Sequence, residues 1–298
     1  MKLWSLLPVL LIGAAAPLAA QVPAQTPAPA EGIEVTVSDE NEWQDLGIAI
    51  PAFATNAEAP TQTSEGSTTA LGRSLADVIT ANLRNNGLFK PTGPASLPRP
   101  GYEQIQSPDF PVWSGRGAEM LVHGYVRAQA DGQIAVGCYL YDVALKQQLG
   151  RAGWVVPPAD WRRAAHRCAD MVYSRLSGES PFFDSRIAYI AETGPKNRRM
   201  KRLAIMDSDG ATHRFLTTGQ ATALTPRFSP DYRQILYLSY LNGNPRIYVY
   251  DLESNSQRLI TQSQNPTFAP RWSPDGRTLA FVSGRGDKPQ IHLLPVGG

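Results

Sequence analysis

Histidine, cysteine and charge are all thin in this chain, and each shortage closes off a class of function. The four histidines, His123, His166, His213 and His292, stand at no Cys-x-x-Cys or His-x-x-x-His spacing, so no metal motif is present. Charged residues make up 18%, with 28 basic against 26 acidic, and the net charge of +2 gives no footprint for nucleic acid. No Gly-x-Ser-x-Gly elbow, phosphate loop, dinucleotide fingerprint or zinc helix occurs, so catalysis has no visible carrier and no cofactor is implied. After the first twenty residues no apolar run approaches the ~20 residues of a membrane span.

Only two cysteines are present, Cys138 and Cys168. Cys138 alternates with Ile134, Val136 and Leu140 as in a strand, and Cys168 shares a helical face with Ala165, Val172 and Leu176. Two readings stand: a disulfide across one helix–sheet core, or two separate buried thiols.

What is there is organised in blocks. The 298 residues suit two domains, and 42% hydrophobic content supports a core in each. Residues 1–20 read as a secretory signal: Lys2, an apolar stretch from Leu3 to Ala16, then small residues up to Ala20. No cysteine follows, which argues against a lipid anchor. Residues 21–33 form a Pro/Ala-rich tail with the composition of a poorly ordered segment.

Residues 34–180 read as a two-layer α/β domain. Residues 46–50 are a strand that ends at Pro51. A helix begins near Thr69, with Leu71, Leu75, Val78, Ile79 and Leu83 on one stripe and Gly87 at its end. The Pro-rich run 91–111 reads as a long connection, followed by strands near 119–127, 133–143 and 148–156. Asp160 is the expected cap of a second helix, stopped by Gly178.

From residue 185 to 298 helices vanish and a repeat appears. Thr225-Pro-Arg-Phe-Ser-Pro-Asp231 returns as Ala269-Pro-Arg-Trp-Ser-Pro-Asp275, 44 residues apart, within the roughly 40–50 residue period of propeller blades. Each copy precedes a strand, a polar turn and another strand, and an earlier partial copy starts at Arg186. Ser-Pro-Asp reads as a turn rather than a nucleophile, and Arg285-Gly286-Asp287 as a hairpin turn rather than an adhesion motif. The fold class expected is therefore α+β, an N-terminal α/β domain followed by an incomplete β-propeller. Two to three blades fall short of the roughly four to eight of a closed ring, so the sequence reads as truncated at its C-terminus.

The strand LGIAIPAF, the helix ending DVITANLRNNGLFKP, the turn into SRIAYIAE, and the repeats TPRFSPD and APRWSPDG together resemble the TolB family of the Tol–Pal system. The resemblance covers nearly everything after residue 34. It implies a six-bladed propeller and a monomeric, non-enzymatic periplasmic protein that links TolA of the inner membrane to the outer-membrane lipoprotein Pal. By motif, Pal would meet the propeller mouth at Thr225, Pro226, Arg227, Thr267, Phe268, Ala269, Pro270 and Arg271. TolA would meet an N-terminal segment containing Glu31, Ile33, Glu34, Val35 and Val37. In the family that segment is the mature N-terminus, whereas here a Pro/Ala tail precedes it, which leaves open which part docks. A rival is the propeller of a prolyl-oligopeptidase-type peptidase, with its catalytic domain beyond residue 298.

Overall fold

The computed structural model describes residues 46–261, 265–284 and 288–296. The expected signal, the tail, the TolA segment and the Arg285–Asp287 tripeptide lie outside the described residues.

The α/β domain is built on a five-stranded sheet. Strand β1 (Leu46–Ala49) runs parallel to β2 (Phe89–Thr92) on one side and to β3 (Met120–Ala128) on the other. Strands β4 (Ile134–Asp142) and β5 (Gln147–Val156) complete an antiparallel meander, giving the order β2-β1-β3-β4-β5. Helix α1 (Thr68–Asn85) follows a Ser67 cap whose Oγ accepts from the Ala70 amide at 3.3 Å. Its stripe of Leu71, Leu75, Ile79 and Leu83 is wholly buried against the sheet.

Phe53 fixes the fit between these layers. Its amide donates to the Gly72 carbonyl at 2.9 Å, and its ring lies over Gly124. A Cβ on Gly72 would stand 2.2 Å from the Phe53 carbonyl oxygen, and one on Gly124 2.1 Å from the ring. Neither glycine is replaceable without moving backbone or the buried Phe53 ring.

The Pro-rich run departs from the expected plain connection. It contributes the edge strand β2 and the short helix α2 (Phe110–Ser114), and it roofs the second face of the sheet, where Leu97, Phe110 and Trp113 pack on Leu121, Tyr141 and Val143. Pro91 fits in β2 because an edge strand need not donate on both sides. Beneath this roof lies His123, fully buried, with Nδ1 3.2 Å from the Gln104 carbonyl oxygen. A carbonyl only accepts, so Nδ1 carries the proton. Burial pulls the imidazole pKa down to about 4, which keeps the ring neutral.

Helix α3 (Trp161–Ser177) packs on the same face as α1 and ends at Gly178, where φ is 77°. Asp160 occupies the N-cap position, yet its side chain makes no capping bond; a single 3-10 turn, Pro158–Asp160, leads into the helix instead. Cys138 on β4 and Cys168 on α3 are joined by a disulfide in the fully buried core, with Cα atoms 5.9 Å apart.

The remaining strands form three antiparallel sheets of the propeller type. The first holds β6 (Arg186–Thr193), β7 (Met200–Asp207) and β8 (Arg214–Phe215). The second holds β9 (Ala223–Phe228), β10 (Gln234–Asn242), β11 (Asn244–Asp251) and β12 (Ser256–Leu259). The third holds β13 (Thr267–Trp272), β14 (Thr278–Ser283) and β15 (Gln290–Pro295). Alternate residues of the second sheet face opposite neighbours. Ile235, Tyr237, Tyr248 and Tyr250 pack on Leu203 and Ile205 of the first sheet, while Leu236, Ile247 and Val249 pack on Leu279 and Phe281 of the third.

Candidate functional site: the two ends of the inner strands

β9 and β13 share the same irregularity in mid-strand. Leu224 and Arg227 pair with Leu238 and Leu236, so Thr225 and Pro226 together oppose a single residue; Ala269 and Pro270 do the same between Phe268 and Arg271. These are β-bulges, each with its first residue at φ 49°, in the left-handed region. For Thr225, β-branched, that conformation is strained. Proline follows at no cost to the ladder, since a bulge leaves its residue unpaired.

The bulges set which predicted residues reach solvent. Thr225, Arg227, Phe268, Ala269 and Arg271 are exposed, Phe268 at 44%, and Pro226 is half-buried. Thr267 and Pro270 are buried, and the Thr267 hydroxyl lies 3.3 Å from that of Thr261, so the surface expected from the sequence loses these two members. Each arginine turns back on the preceding carbonyl, Arg227 Nη1 to Pro226 O at 3.3 Å and Arg271 Nη1 to Pro270 O at 2.8 Å. A guanidinium has five N–H donors, so most remain for another partner. Trp272 Nε1 donates to Arg227 O at 3.4 Å, tying the two inner strands together.

At the far end of each inner strand the Ser-Pro-Asp element is a closed turn. Ser229 Oγ donates to Asp231 Oδ1 at 2.6 Å and accepts from the Gln234 amide at 2.9 Å; Ser273 repeats this with Asp275 and Thr278 at 2.5 and 2.9 Å. The serine bonds hold both carboxyls below the usual aspartate range. A serine donating to a carboxylate inside its own turn is structural.

That end also meets the α/β domain. Asp184, in the segment between α3 and β6, accepts from Arg163 Nη2 at 3.1 Å and Arg167 Nε at 2.8 Å. Asp170 accepts from the amides of Phe182, Phe183 and Asp184 at 2.9, 2.7 and 3.0 Å. Arg162 binds Asp209 in the turn after β7. A 740 Å³ cleft lined by Arg163, Arg167, Arg186, Tyr232 and Arg233 lies along this contact. Sequence reasoning missed this row of charges; the spacing of Arg163, Arg167 and Asp170 on one helix was its only signal.

The molecule thus belongs to a class of two-part scaffolds, an α/β domain seated against the turn end of propeller blades whose inner strands carry a repeated bulge. Residues 173–298 match the TolB beta propeller domain family, and residues 33–149 match the TolB amino-terminal domain family. The chain is 78% identical over 237 residues to the Tol-Pal system protein TolB 1 of Novosphingobium aromaticivorans, covering 80% of this chain and 52% of that protein. It is 58% identical to the Tol-Pal system protein TolB of Sphingopyxis alaskensis, covering 74% and 48%. The crystal structure of TolB from Acinetobacter baumannii superposes with a TM-score of 0.65 at 26% identity, covering 85% of this chain and 58% of that one. The chain belongs to the TolB family and spans about half the length of the curated relatives it matches.

Proposed function

We propose that the chain acts in the periplasm as a non-enzymatic docking component of the Tol–Pal system. The outer-membrane lipoprotein Pal is held at the bulged inner strands and inner-membrane TolA at the N-terminal segment. In this reading Arg227 and Arg271 donate to carboxylates or carbonyls of Pal, and Phe268 supplies an apolar anchor beside Thr225 and Ala269. The residues Glu31, Ile33, Glu34, Val35 and Val37 add as an extended strand to TolA. The bridge so formed supports outer-membrane integrity and constriction at division. The protein works as a monomer and needs no cofactor.

The observation that carries this reading is the duplicated bulge, which presents the same exposed arginine after a bulged proline on neighbouring inner strands. The amino-terminal family match supports it over the peptidase alternative. Its test is surface plasmon resonance on immobilised Pal. Arg227→Glu combined with Arg271→Glu is expected to weaken binding by about tenfold or more; unchanged affinity refutes the assignment of that surface.

A further inference from the structure

Three potential ligand groups meet where α3 touches the first sheet. His166 on α3 is 1% exposed, and its Nε2 has no hydrogen-bond partner. It points at the turn after β7, where the side-chain donors of His166, Asp207 and Asp209 all lie within 4.8 Å of one another. Nε2 stands 3.8 Å from Asp209 Oδ2, too far for a hydrogen bond. Asp207 is itself buried. A buried ring nitrogen left bare beside two carboxylates is costly unless something fills the gap.

We infer that His166, Asp207 and Asp209 form a binding site for one divalent transition cation of the zinc class. One nitrogen and two carboxylate oxygens are a donor set that zinc accepts, whereas magnesium and calcium prefer oxygen alone. Zinc bonds of about 2.0–2.2 Å require the donors to draw together by roughly 1 Å, a side-chain adjustment.

Asn82, also buried, lies with its amide nitrogen 2.8 Å from His166 Nδ1. In that orientation the amide donates, Nδ1 accepts, and Nε2 carries the proton. A half-turn of the amide puts its oxygen on Nδ1, moves the proton there and frees the Nε2 lone pair for a metal. Arg162 competes: its guanidinium occupies Asp209 Oδ2, and the Ala211 amide occupies Oδ1 at 3.0 Å, leaving one lone pair on each oxygen. His166 comes from the α/β domain and both aspartates from the first sheet, so a bound cation ties one to the other.

The test is calorimetric titration of zinc chloride into the metal-free full chain, with magnesium and calcium chloride in parallel. One zinc per chain is expected, bound more tightly than either alternative. His166→Ala and the isosteric Asp207→Asn are expected to abolish it, with circular dichroism confirming that Asp207→Asn is folded. Asn82→Ala is expected to weaken it by about 10–100-fold, and Arg162→Gln to tighten it. His292→Asn, on β15 of the third sheet, is expected to leave it unchanged. No one-to-one binding in the parent chain, or binding that survives Asp207→Asn, overturns the inference.

Discussion

The five-stranded sheet and the second propeller sheet both bury two faces, but by opposite routes. The first is covered by unlike things, helices on one side and a proline-rich roof on the other, and its fit depends on single positions such as Phe53 over Gly124. The second is covered by copies of itself, with one short set of bulge and turn bonds recurring 44 residues on. Alternating Ile291 and Leu293 on β15, 77% and 72% exposed, display a blade face with no neighbouring sheet against it among the described residues. Unique packing makes the α/β domain sensitive to particular residues, whereas repetition makes the blades depend on neighbours.

That contrast breaks most readily at the disulfide. Replacing both Cys138 and Cys168 by serine removes a cross-link closing a separation of 30 residues. It is expected to cost the α/β domain about 3–4 kcal/mol. Near-UV circular dichroism during thermal unfolding should show that transition move down while the tyrosine-rich blade signal stays. Equal shifts in both would mean the regions unfold as one.

Acid sharpens it next. His123 titrates near 6.5 when unfolded and at about 4 when folded, so between these values the unfolded chain binds the extra proton. Stability therefore falls as pH drops from 6.5 towards 4, by up to roughly 3 kcal/mol, and is restored above 6.5. Denaturant midpoints measured across that window should lose this slope in His123→Gln; a slope that persists assigns it to other groups.

The smallest effect belongs to the blades and has the opposite sign. Thr225→Gly relieves a left-handed β-branched residue and is expected to stabilise the second sheet by about 1 kcal/mol or less. Hydrogen exchange of the β9 and β10 amides reads this directly, with faster exchange contradicting the strain.

Much of this was legible in the sequence, for identifiable reasons. The α1 stripe and the Ser-Pro-Asp repeat are periodic, and period is what a sequence displays. β2 escaped because its alternation runs over only four residues and includes Pro91, which reads as a break although an edge tolerates it. Residues 267 and 270 turned out buried, Thr267 on the inward face of β13 ahead of the bulge and Pro270 within it, which a recurring motif does not display. The cluster of His166 with Asp207 and Asp209 spans some forty residues and two domains, and no local spacing announces it.

Helix α3 carries one more implication. Its middle is bolted to the sheet through Cys168, its flank clamps the linker at residues 182–184 through Arg163, Arg167 and Asp170, and Arg162 reaches the first blade at Asp209. A mechanical pull on the blades thus has a load path straight into the sheet, so the short stretch after Gly178 works as a strapped joint rather than a free tether.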